Sequence, residues 1–227
     1  MTMVTVNILF DLDGTLTDSK PGIINCLEHA LSSLRLDIPP SKTLESMIGG
    51  SLRDVFRTLL PVESSDADVE QAVSLYRQRF STKGLFENSL YAGIPEILKE
   101  LSQLGHELYL ATAKPLVFAE QILDHFNLRQ WFSGIYGSGL DGQHEIKRDL
   151  IAFVLNDAGL NQAQTMMVGD RFHDIHGAIH NRVYPVGVLW GYGSKSELQD
   201  AGARHLLDKP ADILTLLDGL ASTNEIR

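Results

Sequence analysis

The chain has 227 residues, of which 29 are acidic and 19 are basic, so its formal net charge is −10. Apolar residues account for 44% of the sequence and charged residues for 21%, proportions that are typical of globular proteins and exclude a disordered or fibrous one. The acidic balance argues against a protein that binds polymeric nucleic acid, because such a protein needs a basic surface. It does not exclude an anionic small molecule whose charge is offset locally.

The sequence predicts a cytoplasmic protein with no membrane association. Cys26 is the only cysteine, so no intramolecular disulfide can form and a reducing compartment is favoured. The N-terminal apolar run has no basic residues before it and stops at Asp11, which is unlike a signal peptide. No segment approaches the roughly 20 apolar residues that a membrane-spanning helix needs.

The first predicted element is a buried strand at residues 4–10, which are mostly β-branched and apolar. It ends abruptly in the polar and turn-forming residues 11–15. From residue 21 to about residue 80, apolar side chains recur at helical spacing, and prolines divide the stretch into several helices. No strong strand candidate lies within this helical stretch.

After Gly93 the pattern alternates between strands and helices. Repeated strand–helix units predict an α/β fold with a doubly wound parallel sheet, a Rossmann-like core, covered by helices on both faces. Pro115 is predicted at the first position of one of the helices. The strands are predicted at residues 106–111, 134–136, 165–168 and 184–189, and the other helices near residues 94–101, 150–155, 195–200 and 210–220.

The helical stretch interrupts this alternation directly after the first strand. We interpret it as an inserted α-helical cap domain at residues 18–89, so that the α/β catalytic core comprises residues 1–17 and 90–227. The sequence does not distinguish a monomer from a homodimer.

Reactive side chains follow the predicted strands at four places along the chain. Ligands bind beyond the carboxyl ends of the strands in open α/β sheets, so we expect these side chains to converge at one edge. Several carboxylates together need a compensating cation, and oxygen ligands without a cysteine cluster favour Mg²⁺. The candidate residues are Asp11, Asp13, Thr112, Lys147, Asp170 and Asp174.

The spacing of Asp11 and Asp13 favours a division of labour between two carboxylates. At a strand end they can diverge around a reacting group, so that one acts as nucleophile and the other as general acid and base. Thr112 supplies a hydroxyl donor, and Lys147 neutralises charge on transferred phosphoryl oxygens. Arg148 is a rival for this last role, since it lies in the same charged stretch.

These residues resemble the four motifs of the haloacid dehalogenase-like hydrolases. Residues 10–16, Phe-Asp-Leu-Asp-Gly-Thr-Leu, are similar to the first motif, and Thr112 stands in the second. Lys147 corresponds to the third motif, and the Gly-Asp-Arg-Phe-His-Asp run at residues 169–174 resembles the fourth. The motifs occur in the family's order and span most of the chain.

The resemblance implies a two-step phosphatase mechanism. Asp11 would attack phosphorus and form an aspartyl-phosphate, while Asp13 would protonate the leaving alcohol and then activate water. Thr112 and Lys147 would bind the phosphoryl oxygens. Mg²⁺ would lie between the Asp11 side chain, the Asp13 backbone carbonyl and Asp170, with Asp174 as a ligand or a support. The second aspartate argues against carbon–halogen cleavage.

An insert directly after the first motif is the helical type of cap in this family. Weaker similarities point to phosphoglycolate phosphatase-like enzymes, including a 5′-nucleotidase branch, so the expected substrate is a small phosphorylated metabolite such as 2-phosphoglycolate or a nucleoside 5′-monophosphate. Arg53 in the cap is a candidate substrate contact. Arg182 departs from the pattern, because relatives often carry glycine there.

Two other functions are compatible with the same residues. A phosphosugar mutase would use the same aspartyl-phosphate and transfer the phosphoryl group to a sugar. A phospho-accepting signalling module of the receiver type also combines acidic residues, a threonine and a lysine around Mg²⁺. The paired aspartates after the first strand and the helical insert argue against the signalling module.

Overall fold

The computed structural model describes residues 5–223 and residue 226. The chain separates into two compact units, one formed by Met1–Thr17 and Leu90–Arg227 and the other by Asp18–Ser89. The predicted beginning of the first strand at Val4 lies outside the described residues.

The first unit contains a six-stranded sheet in which every pair of neighbouring strands is parallel. Its strand order is β5-β4-β1-β6-β7-β8, and β2 and β3 form a separate two-stranded sheet. This arrangement confirms the predicted α/β fold with a parallel sheet. The strands are β1 (Asn7–Phe10), β2 (Thr17–Asp18), β3 (Ser89–Leu90), β4 (Glu107–Pro115), β5 (Gly134–Ser138), β6 (Thr165–Gly169), β7 (Tyr184–Val188) and β8 (His205–Leu207).

Ten α-helices are present in the described part of the chain. None of them is long and apolar enough to cross a membrane. They are α1 (Lys20–Ser33), α2 (Ser41–Glu45), α3 (Leu52–Leu59), α4 (Asp66–Arg79), α5 (Ile94–Gln103), α6 (Leu116–His125), α7 (Lys147–Asp157), α8 (Phe172–His180), α9 (Lys195–Asp200) and α10 (Asp212–Thr223), and a single π-helical turn at Phe80–Gly84 continues α4.

The core of the first unit forms where strands and helices bury their apolar side chains together. Leu9, Tyr109 and Met167 come from the three central strands and pack with Leu150 and Val154 of α7. The strands are apolar on both faces because helices cover both sides of a parallel sheet. This rigid core fixes the positions of the strand ends.

The second unit is a bundle of short helices. The predicted helical stripe along α1 is confirmed, since Ile24, Leu27 and Leu31 are all buried. Tyr76 of α4 stacks on Phe80 with 5.5 Å between the ring centroids. The beginning of α4 is fixed by a capping box, in which the side chains and backbone amides of residues 65 and 68 bond reciprocally.

Several elements differ from the predictions, most clearly around β4 and at β8. β4 continues beyond residue 111 to Pro115, with a register shift against β5 that keeps its last residues in the sheet. Pro115 therefore ends β4 and caps α6, so its predicted place inside the helix is wrong. The strand β8 was not predicted, because three residues are too few for an alternating pattern to emerge.

Candidate active site

The candidate site lies at the carboxyl edge of the three central strands. Phe10 pairs in register with Leu110 of β4 and with Val168 of β6, so the residues that follow these three positions lie at the same level of the sheet. The Asp11 amide still donates to the Val168 carbonyl at 3.0 Å, which holds Asp11 against the end of β6. The expected convergence at one edge is therefore present in the fold.

The turn after β1 requires glycine at position 14. Gly14 has φ of +86°, a conformation that other residues rarely adopt. A Cβ atom there would lie 2.2 Å from Oδ2 of Asp170, far inside van der Waals contact. The close approach of this turn to Asp170 therefore depends on the missing side chain.

Three carboxylates meet at the edge of the sheet. Asp11, Asp170 and Asp174 are all buried, and one ligand atom from each lies within 4.8 Å of the others. Asp170 is held at both oxygens, since Oδ1 accepts from the Thr15 hydroxyl at 3.3 Å and Oδ2 accepts from the Tyr192 amide at 2.7 Å. We call these three residues the carboxylate cluster.

Lys147 is the cation within the carboxylate cluster. Its Nζ donates to Oδ1 of Asp11 at 2.7 Å and to the Ala111 carbonyl at 2.9 Å, and it lies 2.8 Å from Oδ1 of Asp174. Lys147 is also the first residue of α7, where the helix dipole disfavours a positive charge. The two carboxylates offset this cost, which explains how a lysine can be buried at a helix N-terminus.

Burial and the repulsion between neighbouring carboxylates shift the pKa values of the groups in the carboxylate cluster. Burial raises the pKa of Asp11 from 3.8 to about 6, although Lys147 opposes the shift. Burial, together with the charges of Asp174 and Asp11, raises the pKa of Asp170 well above its ordinary value. For Lys147, burial alone would lower the pKa, but the charges of Asp11 and Asp174 raise it above the usual lysine value.

The carboxylate cluster fits a divalent cation. Three formal negative charges and the one positive charge of Lys147 leave a net charge of −2. Oδ1 of Asp174 is buried and lies 2.8 Å from Nζ of Lys147, which it shares with Asp11. A donor set made only of carboxylate oxygens with an excess of negative charge is the chemistry that Mg²⁺ selects.

Asp13 lies outside this cluster and has its own cation. Oδ2 of Asp13 forms an ion pair with Nζ of Lys114 at 2.7 Å, and both residues are buried. Lys114 was not predicted as a site residue, because β4 was expected to end before it. The signal was present in the spacing, since Thr112 and Lys114 are two residues apart on one strand and side chains two apart share a face.

The other predicted residues divide into those at the strand edge and those elsewhere. Thr112 is buried directly after Ala111, and its hydroxyl accepts from the Lys114 amide at 3.3 Å. Arg148 is exposed and pairs with its neighbour Asp149, so of these two rivals it is Lys147 that reaches the strand edge. Arg53 belongs to the helical unit, where its Nε lies 2.5 Å from Glu70.

The loop after β7 contributes further contacts to Asp170 and to the turn after β1. The Trp190 indole donates to the Thr15 carbonyl at 2.9 Å, and the Tyr192 amide holds Asp170. A Cβ atom on Gly191 would lie 2.3 Å from Cβ of Asp170. This loop therefore packs closely against Asp170 and the turn after β1.

Sequence comparison relates the chain to a known family and to named proteins. The profile of a family described as haloacid dehalogenase-like hydrolase matches residues 8–188. A 5′-nucleotidase from Pseudomonas aeruginosa is 43% identical over 216 residues, which cover 95% of this chain and 96% of that protein. A phosphoglycolate phosphatase from Pseudomonas syringae is 29% identical over 217 residues, which cover 93% of this chain and 78% of that protein.

Two further matches come from a kinase and from a solved structure. The tyrosine-protein kinase PtkA from Mycobacterium tuberculosis is 37% identical over 186 residues, which cover 82% of this chain but only 62% of the kinase. The crystal structure of a predicted phosphatase from Clostridium acetobutylicum is similar with a TM-score of 0.88 and 35% identity, covering 96% of this chain and 99% of that one.

Proposed function

Because the chain belongs to the haloacid dehalogenase-like hydrolases, as a phosphatase of that family, we propose that it is an Mg²⁺-dependent enzyme that hydrolyses small phosphate monoesters through an aspartyl-phosphate. The observation that carries this proposal is the buried carboxylate cluster with its net charge of −2. Such a cluster is costly without ligands and becomes favourable around a dication.

In the proposed first step, a carboxylate oxygen of Asp11 attacks the phosphorus atom. The new O–P bond forms as the ester P–O bond breaks, and its electron pair stays on the leaving oxygen, which takes a proton from the Asp13 carboxyl. Lys147 holds Oδ1 of Asp11 at 2.7 Å, which fixes the orientation of the nucleophile. Thr112 and Lys147 are the groups that we assign to the phosphoryl oxygens.

In the proposed second step, water hydrolyses the aspartyl-phosphate. Asp13, now a carboxylate, accepts a proton from the water as its oxygen bonds to phosphorus, and the bond between phosphorus and Asp11 breaks. Phosphate leaves and Asp11 is restored as a carboxylate. The two steps together add one water molecule to the ester.

The residues that would hold Mg²⁺ are the side chains of Asp11, Asp170 and Asp174, with the backbone carbonyl of Asp13. The cation would neutralise charge that builds up on the phosphoryl oxygens. Thr15 and the Tyr192 amide support this role, because they fix both oxygens of Asp170 before any ligand arrives.

For the substrate we favour a nucleoside 5′-monophosphate, with 2-phosphoglycolate as the second candidate. The 43% identity to a protein named 5′-nucleotidase extends over nearly the whole chain, whereas the match to the named phosphoglycolate phosphatase is weaker. We also propose that the helical unit at residues 18–89 acts as a cap, that Arg53 contacts the substrate there, and that the enzyme works in the cytoplasm.

The test is a phosphate-release assay over a panel of small phosphate esters with Mg²⁺. Asp11→Asn is expected to abolish turnover, since an amide is a poor nucleophile, and EDTA is expected to silence the wild type until Mg²⁺ is restored. Turnover of Asp11→Asn within about tenfold of the wild type would overturn the assignment of the nucleophile. Metal-independent hydrolysis would overturn the role of the cation.

Two additional assays separate the alternatives. Isomerisation of a phosphosugar without net phosphate release would identify a mutase. Phosphate transfer from ATP to a tyrosine-containing peptide would reveal the activity for which the mycobacterial relative is named.

A further inference from the structure

The ion pair between Asp13 and Lys114 is distinct from the carboxylate cluster. The two charged atoms are 2.7 Å apart, and the side chains are only 12% and 5% exposed. Lys114 reaches this position from the end of β4, which continues past Thr112. The pair thus joins the turn after the first strand to the last residues of the neighbouring strand.

Lys147, the other buried lysine of the site, pairs with carboxylates other than Asp13. Nζ of Lys147 is surrounded by Asp11, the Ala111 carbonyl and Asp174, all within 2.9 Å. The two aspartates of the first motif therefore have separate cations. Stability does not account for the second pair, because a buried ion pair is on average no more stabilising than a well-packed apolar pair.

The two oxygens of Asp13 differ in their surroundings. Oδ2 is held by Lys114, whereas Oδ1 is buried and has no hydrogen-bond partner among the described residues. A buried carboxylate oxygen without a partner is costly unless a ligand or a proton completes it. One oxygen is thus anchored by the lysine, and the other is left without a partner among the described residues.

We propose that Lys114 is a positioning residue that anchors Oδ2 of Asp13 so that Oδ1 carries the proton to and from the reacting groups. The inference rests on the proposed function. In phosphoryl transfer to Asp11, the proton on Oδ1 passes to the leaving oxygen as the ester bond breaks. In hydrolysis, Oδ1 takes a proton from water as the bond to Asp11 breaks, and Lys114 keeps its own protons throughout.

The test compares two esters of similar shape that differ in their need for a proton. p-Nitrophenyl phosphate loses its leaving group without protonation, whereas phenyl phosphate gains from a general acid. Because kcat/KM covers the steps through departure of the leaving group, Lys114→Met is expected to lower kcat/KM for phenyl phosphate about tenfold more than for p-nitrophenyl phosphate. Lys114→Arg keeps a cation at this position, so its additional loss of kcat/KM on phenyl phosphate is expected to be smaller than that of Lys114→Met.

The double variant Asp13→Asn with Lys114→Met guards against simple misfolding, because it leaves no lone charge in this position. If Lys114 acts through Asp13, the double variant is no worse on phenyl phosphate than Asp13→Asn alone. Lys99→Met on the exposed face of α5 serves as the matched control and is expected to behave as the wild type. Thermal unfolding of each variant verifies that it is folded.

The outcomes separate this inference from the proposed function. An equal loss of kcat/KM on both esters, or additive losses in the double variant, would overturn the positioning role of Lys114 and leave the phosphatase assignment standing. If the wild type released phosphate from neither ester, nor from any ester of the panel, the proposed function would fail and this inference with it.

Discussion

The raised pKa of Asp11 makes the stability of the metal-free protein depend on pH in an unusual direction. A carboxyl group whose pKa is higher in the folded than in the unfolded state binds its proton more tightly when folded. Protonation of Asp11 therefore stabilises the fold at low pH, and this contribution is lost as the pH rises through about 6. Most buried aspartates in salt bridges behave in the opposite way.

The size of the effect follows from the two pKa values. A rise from 3.8 to about 6 corresponds to about 3 kcal/mol between the fully protonated and fully ionised limits. Between about pH 7.5 and pH 4.5, about 2 kcal/mol of this difference is expressed. Asp11→Asn removes the titrating group and keeps its size, so the variant isolates this contribution from that of other acids.

The assay is urea unfolding of the wild type and Asp11→Asn in EDTA across this pH range. The free energy of unfolding of the wild type is expected to rise by about 2 kcal/mol relative to the variant as the pH falls. A difference that stays flat, or that favours the wild type at high pH, would refute the reasoning and mean that Lys147 dominates Asp11. Saturating Mg²⁺ is expected to remove the gain at low pH, because a bound cation favours the ionised carboxylate.

Three further substitutions probe the site and its frame. Asp170→Asn is expected to raise the melting temperature in EDTA by removing a buried charge, and to abolish the stabilisation by Mg²⁺ in the same thermal assay. Gly191→Ala is expected to lower the free energy of unfolding by about 1–3 kcal/mol and to lower turnover, because the new Cβ would lie 2.3 Å from Cβ of Asp170. Gly219→Ala in α10 is the control, since a Cβ atom there meets open space and is not expected to destabilise the fold. Arg182 has φ of +57°, so Arg182→Gly is expected to stabilise by less than about 1 kcal/mol in urea unfolding with unchanged turnover.

Much of the fold was predictable because the sequence changes character sharply at the strand ends. β1 and β6 are apolar runs that stop at Asp11 and Asp170, and a parallel sheet brings such ends to one edge. Lys147 was predictable only through the family's motif, since its charged neighbours resemble ordinary surface. Its burial at the first turn of α7 follows from its acidic partners and not from local pattern.

The parts that could not be predicted depend on backbone groups or on strand length. The Tyr192 amide that holds Asp170 belongs to the main chain, so any residue type at that position offers the same donor. Lys114 was missed because the end of a strand is set by its neighbours in the sheet, here by the register shift against β5. The spacing of Thr112 and Lys114 becomes informative only once this pairing has shown that both residues belong to one strand.

Asp11 pairs with Lys147 and Asp13 pairs with Lys114, and these different partners explain how two identical side chains can take the different roles that we propose. Asp11 shares its surroundings with two other carboxylates and a single ammonium group, so its charge is drawn toward any cation that binds there. Asp13 forms an ion pair with Lys114, and its second oxygen has no hydrogen-bond partner in the described part of the chain. Two carboxyl groups in unlike environments divide acid–base and nucleophilic work between them. Exchange of the roles would require Lys114 to release Asp13, so the asymmetry of the two lysines supports Asp11 as the nucleophile.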